Sequence, residues 1–148
     1  MATLTKTGGT GTTGHVAGNA VAKVYVQTTV IDGTSTALTS GDVYQAINVP
    51  ANSVVLNAGI DKITAGTGTG TLALGDGTVT YVAAAVQTSA GAMTSGDAVA
   101  EMFVSYPAAD TLDVTVATAD VNSKVRVWAL MADCEGPVGD DATGDTYA

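Results

Sequence analysis

Few residues in this sequence have side chains suited to catalysis, since it contains one histidine and one cysteine. His15 is surrounded by glycine and threonine, where nothing would hold it beside a nucleophile or a second metal ligand. Cys134 has no histidine near it in the sequence to activate its thiol, which favours an inert or interface cysteine. The segment 9–14 matches Gly-x-Gly-x-x-Gly, but no strand precedes it and strand-like alternation follows it. We interpret that match as a coincidence of composition, because a dinucleotide site needs a strand before the glycines and a helix after them.

Carboxylates are more numerous, but none of them forms a recognisable catalytic or metal-binding pattern. Asp140, Asp141 and Asp145 lack the alternating spacing and the closing glutamate of an EF-hand loop. The other aspartates stand mostly at the ends of predicted strands, where aspartate is a routine turn former. The sequence therefore predicts a non-enzymatic protein without a cofactor or a metal site, and opportunistic calcium binding stays open.

Composition excludes several classes of protein. The 148 residues carry a formal net charge of −9, yet only 13% are charged and 46% are hydrophobic. A disordered acidic chain would combine low hydrophobicity with dense charge. Apolar runs are too short for a membrane helix, and an acidic chain should repel phosphate backbones unless its few cations cluster. We expect one domain with no direct nucleic-acid or membrane binding and no secretory signal at its start.

Short β-branched segments separated by turn residues indicate an all-β domain, a single antiparallel β-sandwich of about eight strands spanning residues 20–133. The predicted strands are 20–31, 42–49, 53–64, 71–74, 78–86, 98–106, 111–118 and 123–133. In the first of them, alternation predicts that Val24, Val26 and Val30 point into the core. Residues 1–19 are interpreted as a flexible Gly/Thr-rich arm, and 134–148 as a solvated acidic tail.

The sequence repeats itself once. The segment 37–49 aligns with 92–104, and both contain Thr-Ser-Gly-Asp, at 39–42 and 94–97. In the predicted strand order this is an offset of four strands, which two Greek keys of a jelly roll would give. The alternative is that a common turn arose twice in a chain of low complexity.

Three of the five basic residues fall in the first and last predicted strands, opposite their apolar faces. In a jelly roll these two strands are neighbours, so the cations would share an outer surface with aromatic and apolar residues. Trp, Tyr and Arg dominate the energetics of protein interfaces. The alternative is that Trp128 caps the core under a loop. The predicted contact patch consists of Lys23, Tyr25, Lys124, Arg126, Trp128 and Leu130.

Four segments resemble the small virion structural proteins of tailed bacteriophages, and most of all their capsid decoration, or cement, proteins. These segments are 47–55, 72–82, 110–116 and 124–133. The resemblance implies a β-sandwich subunit that forms a small homo-oligomer, often a trimer. It implies a place on the exterior of the virion capsid, after synthesis in the host cytoplasm, where the protein clamps adjacent major capsid protein subunits.

Such proteins often carry a flexible arm that becomes ordered on a neighbouring subunit, and this role would fall to the arm residues Leu4, Lys6 and His15. Two other functions stay open at this stage. One is a tail, neck or head-fibre component of the virion. The other is a cell-surface module, adhesin-like or carbohydrate-binding.

Overall fold

The computed structural model describes residues 24–66, 70–86, 91, 93–96, 101–119 and 122–134. Within these residues the chain forms nine strands. They are β1 (Val24–Asp32), β2 (Val43–Val49), β3 (Ser53–Thr64), β4 (Thr71–Gly75), β5 (Thr80–Val86), β6 (Met93–Ser95), β7 (Val104–Tyr106), β8 (Asp110–Thr118) and β9 (Lys124–Asp133). Every pairing between them is antiparallel.

The strands form two sheets that pack face to face. The first sheet has the order β1-β9-β3-β6, with β7 also paired to β3, and the second has the order β2-β8-β4-β5. If β6 and β7 are counted as two pieces of one edge strand, this is the eight-strand, two-Greek-key arrangement of a jelly roll. The predicted all-β sandwich is confirmed, and so is the pairing of the first strand with the last.

The core lies between the sheets and is made by alternate residues of each strand. In the second sheet Leu112, Val114 and Val116 of β8 are inaccessible to solvent, as their alternation predicts. In the first sheet the inner residues of β9 are inaccessible as well: Val125, Val127, Ala129 and Met131. Burying one large aliphatic side chain stabilises a fold by about 1.5–3 kcal/mol, so these two rows supply much of the driving force for packing.

The predicted strand 98–106 differs most from the structure. Its described part is strand only in β7, while β6 occupies residues that lie outside all of the predicted strands. The two copies of Thr-Ser-Gly-Asp consequently have different conformations. Thr39 and Asp42 close a turn through two hydrogen bonds, whereas Thr94 and Ser95 lie in β6. This difference argues against a structural repeat. It favours the alternative, that the same turn sequence arose twice.

The β4–β5 turn, predicted at Gly75-Asp76-Gly77, is tied to the rest of the domain by a chain of hydrogen bonds. The Asp76 carboxylate accepts hydrogen bonds from the backbone N–H groups of Thr78, at 2.7 Å, and Val79, at 2.6 Å. It also accepts one from the Tyr106 hydroxyl at 2.5 Å, and that hydroxyl lies 3.0 Å from the hydroxyl of Tyr81. Both tyrosines are buried. The turn is thereby connected to β7 of the other sheet.

This chain of hydroxyls predicts a loss of stability at alkaline pH. Burial raises the pKa of Tyr81 to about 12, and burial together with the Asp76 carboxylate raises the pKa of Tyr106 well above its ordinary value of 10.0. Because both pKa values are higher in the folded state, the stabilisation is complete below pH 10 and declines as the pH rises above it. Urea unfolding at several pH values should show this decline, and Tyr106→Phe should make it shallower. An equal slope in the variant would contradict the assignment.

Candidate contact surface on the outer face of the first sheet

The outer face of the first sheet is the side turned away from the second sheet, and β9 lies at its middle. Inner and outer residues alternate along a strand, so the residues between the buried ones must point to the outer face. The outward row of β9 consists of Lys124, Arg126, Trp128 and Leu130. Four of the predicted contact residues therefore share one face.

Strand β1 adds an exposed apolar row beside them. Val26 lies opposite Leu130, and Val30 lies opposite Arg126. Val24, Val26 and Val30 remain 60%, 58% and 50% exposed. Leu130 and Trp128 are half-buried. Valines this exposed in a regular strand form an apolar surface that is typical of a site for another protein.

The orientation predicted for β1 is wrong. The sequence placed Val24, Val26 and Val30 inward, but the inward row is the alternate one, and Tyr25 packs against the core instead of joining the outer face. The cause is the register. Asp32 pairs with Lys124, which sets Ile31 opposite Val125 and Tyr25 opposite Met131. A slip of one residue would exchange the two faces, and the inner face of β9 already fixes which side is the core.

The cations of this face are paired with carboxylates on neighbouring strands. Lys124 Nζ lies 2.6 Å from an Asp32 carboxylate oxygen, and Arg126 forms an ion pair with Asp61 of β3. The hydrogen bond from Lys124, with two from Thr34, lowers the pKa of Asp32 to about 2. The described outer face therefore carries balanced charge, where the sequence predicted a concentration of positive charge. Lys62 of β3 is also described and is fully buried.

Trp128 belongs to the outward row of β9, and its indole lies against Gly59 of β3. A Cβ atom added to Gly59, which pairs with Trp128, would stand 2.7 Å from Cζ2 and 2.8 Å from Cε2 of the indole. The same atom would stand 2.6 Å from the backbone oxygen of Thr94 in β6. Glycine at this position is what allows the ring to rest on the sheet. The indole thus has a defined position on the outer face.

Replacing Gly59 with alanine should displace the Trp128 ring and destabilise the domain by about 1–3 kcal/mol, because the added methyl group overlaps both the indole and backbone. Tryptophan emission and urea unfolding measure the two effects, and this chain has one tryptophan. Thr28→Ala is the control, since Thr28 is exposed and flanks Trp128 from β1. Unchanged emission and stability in Gly59→Ala would refute the packing of Trp128 against Gly59.

Several predicted contact residues fall elsewhere. Lys23 and the arm residues Leu4, Lys6 and His15 lie outside the described residues, as does the acidic tail beyond Cys134. Two exposed apolar residues of the first sheet's far edge were not predicted from the sequence. They are Met93, 67% exposed, and Phe103, 71% exposed. The sequence gives one signal for Met93, which lies between Gly91 and Gly96, and none for Phe103, which lies between Met102 and Val104.

Few of the described residues are arranged in a way that would support metal binding or catalysis. No group of three histidine, cysteine or acidic side chains in that part of the chain could hold a metal ion, and no described helix could span a membrane. A shallow groove on the outer side of the second sheet contains Asp76 and Asp113. The Asp76 carboxylate already accepts three hydrogen bonds, and Asp113 accepts one from the Thr111 hydroxyl. Both carboxylates therefore take part in local structure.

Comparison with solved structures finds the same architecture in chains from three phage capsids. A chain in the capsid of Ralstonia phage GP4 superposes with a TM-score of 0.55 and 17% identity, over 77% of this chain and 86% of that one. A chain in the capsid of cyanophage Pam1 has a TM-score of 0.55 and 23% identity, over 75% and 85%. A chain in the acid-stable capsid of Helicobacter pylori bacteriophage KHP30 has a TM-score of 0.52 and 16% identity, over 74% and 86%. The chain shares its fold with phage capsid chains.

Sequence comparison adds nothing to this: no protein-family model matches the chain, and no curated protein matches it. At these identities the structural likeness shows a common fold. In each pair the aligned part is a larger share of the capsid chain than of this one, so each of those three chains is shorter than 148 residues.

Proposed function

We propose that this protein is a non-enzymatic structural component of a phage particle, and specifically a decoration (cement) protein on the outside of the capsid. In this role it binds adjacent major capsid subunits and holds them together against the pressure of packaged DNA. The observation that carries the proposal is the fold shared with small chains in three phage capsids.

The outer face of the first sheet is the proposed contact surface. Val26, Val30 and Leu130 offer apolar area that water covers in the free chain, and removing that area from water contributes roughly 25 cal/mol per Å². Trp128, held in place over Gly59, is a preordered aromatic side chain of the kind that dominates interface energy.

The charged residues of this face can lie at the margin of an interface without a large desolvation cost. Lys124 and Arg126 are each paired with an aspartate inside the same subunit. A partner therefore does not have to neutralise an isolated charge, which would cost several kcal/mol on burial. The ion pairs lie at one end of the β1–β9 ladder, and the apolar residues continue toward the other. This arrangement corresponds to an apolar centre with a polar margin.

We also propose that the protein forms a homo-oligomer, and specifically a trimer. Strand β1 is nine residues long, and its side away from β9 pairs with no strand among the described residues. A sheet edge that no described strand covers, with exposed valines, favours strand pairing with another chain. Edge pairing between subunits would leave the outer face available to the shell.

Deletion of the coding sequence from the phage that carries it tests the function. Mass spectrometry should find the protein in purified wild-type particles and not in deletion particles. We expect deletion particles to form but to release DNA at lower temperature and at low salt. Absence of the protein from wild-type particles would overturn the proposal, as would equal resistance of the two kinds of particle. Loss of tails from otherwise stable heads would indicate a tail or neck component instead.

A further inference from the structure

Phe103 combines exposure with an unfavourable backbone conformation. It is the single phenylalanine of the chain, and its side chain is 71% exposed. Its φ of 58° lies in the left-handed region, which bulky residues rarely adopt. The other described non-glycine residues with positive φ are Asn52 and Asn122, and asparagine tolerates this region well. Phe103 is therefore the exception, since neither packing nor local propensity accounts for it.

The backbone around Phe103 is fixed by its neighbours. Val104, the next residue, pairs with Val55 of β3 and packs against the core. Earlier in the chain, Gly96 accepts a hydrogen bond from the Asn57 side chain at 3.3 Å, and its own N–H donates to the Ala58 oxygen at 3.2 Å. These contacts hold Gly96 and the residue after Phe103 against β3. An exposed aromatic residue in a strained, anchored position is an observation that points to function.

The position of Phe103 separates it from the outer-face valines. It directly precedes β7, at the edge of the first sheet opposite β1. Strands β9 and β3 lie between the two edges, so the separation is three strand spacings, or roughly 14 Å. A protein that clamps two shell subunits needs two contact sites, and the outer face at β1 and β9 and the Phe103 edge of the same sheet supply them.

We propose that Phe103 is a second attachment point, an aromatic anchor that inserts into an apolar pocket of a shell subunit. This inference rests on the proposed capsid function and extends it from one contact site to two. A shell subunit suits the anchor better than a second copy of this chain. The groove described on the second sheet contains Asp76 and Asp113, whose carboxylates are poor neighbours for a phenyl ring. The contact between copies is assigned above to β1, which lies at the opposite edge of the sheet from Phe103.

The substitution Phe103→Gly separates binding from folding. Glycine adopts a φ of 58° without steric cost, so the melting temperature of the full-length variant should stay the same or rise by a few degrees. Cosedimentation with purified capsids from the deletion phage should show binding weaker by about 30-fold, as for loss of an interface hot spot. Phe103→Leu should retain most of the binding.

Asn122→Gly is the matched control, because it relieves the same backbone conformation at a position with no proposed contact. It should leave binding unchanged. Wild-type affinity in Phe103→Gly would overturn the anchor while leaving the capsid function in place. A fall in oligomeric size by light scattering in Phe103→Gly would also overturn it, because it would assign the residue to a contact between copies. Failure of the wild-type protein to bind capsids would overturn the proposed function and the anchor with it.

Discussion

Replacing Val26 with aspartate is expected to reduce binding to deletion capsids by at least about 100-fold while the domain stays folded. Val26 is 58% exposed on the outer face, opposite Leu130, so the free protein tolerates a carboxylate there. In the bound state that carboxylate would be buried without a partner, at a cost of several kcal/mol. Cosedimentation measures the binding, and circular dichroism with thermal melting checks the fold.

The same replacement at Val43 is a closely matched control. Val43 is 57% exposed and also lies in a strand, but in β2 of the second sheet. Both variants carry the same added charge, so a general electrostatic effect would weaken both. We expect Val43→Asp to bind as the wild-type protein does. Equal loss in the two variants, or no loss in Val26→Asp, would show that the outer face of the first sheet is not the contact surface.

Replacing Asp76 with alanine should produce the largest loss of stability, about 3 kcal/mol. Its carboxylate accepts hydrogen bonds from two backbone N–H groups of the β4–β5 turn and from Tyr106. Hydrogen bonds to charged groups contribute about 1.5–3 kcal/mol each, and part of that is recovered when water reaches the exposed N–H groups. Burial acts to raise the pKa of Asp76, but these hydrogen bonds outweigh it and hold the pKa below 3.8. Urea unfolding at neutral pH measures the loss.

Two further variants separate the parts of that loss. Tyr106→Phe removes the hydroxyl that connects the turn to β7, and the double variant with Asp76→Ala gives the coupling between the two groups. Asp110→Ala is the control, since Asp110 is exposed and accepts a hydrogen bond from the N–H of Thr111. It should change stability by less than about 1 kcal/mol. A similar loss in Asp110→Ala and Asp76→Ala would contradict the structural role of this network.

The strand pattern of the domain could be predicted because burial on one face leaves a periodic record in the sequence. Strand β3 matches its prediction at both ends, and β8 and β9 do so within one residue. The β4–β5 turn was visible from its glycines and aspartate. Alternation along the last strand placed four residues of β9 on its outer face, and the jelly-roll interpretation gave its pairing with the first strand.

The orientation of β1 was not predicted, because both of its faces carry apolar residues and its one charge, Asp32, stands at its last residue. Val24, Val26 and Val30 follow the alternation of a buried row, yet Tyr25 and Ile31 on the other face bury more area. Only pairing with β9, about 100 residues later, decides between them. The same holds for the contacts that define the site. The ion pair of Arg126 with Asp61 and the hydrogen bond of Tyr106 with Asp76 join residues that the sequence does not link.

Cryo-electron microscopy of the wild-type particle tests the central claim most directly. We predict density for a two-sheet β-sandwich on the outside of the shell, absent from the deletion particle. In that density the outer face with Val26 and Leu130 should contact one shell subunit, and the edge with Phe103 should contact an adjacent one. Density inside the shell, at the neck or along the tail would contradict the proposed function. An outer face turned toward solvent would contradict the proposed contact surface.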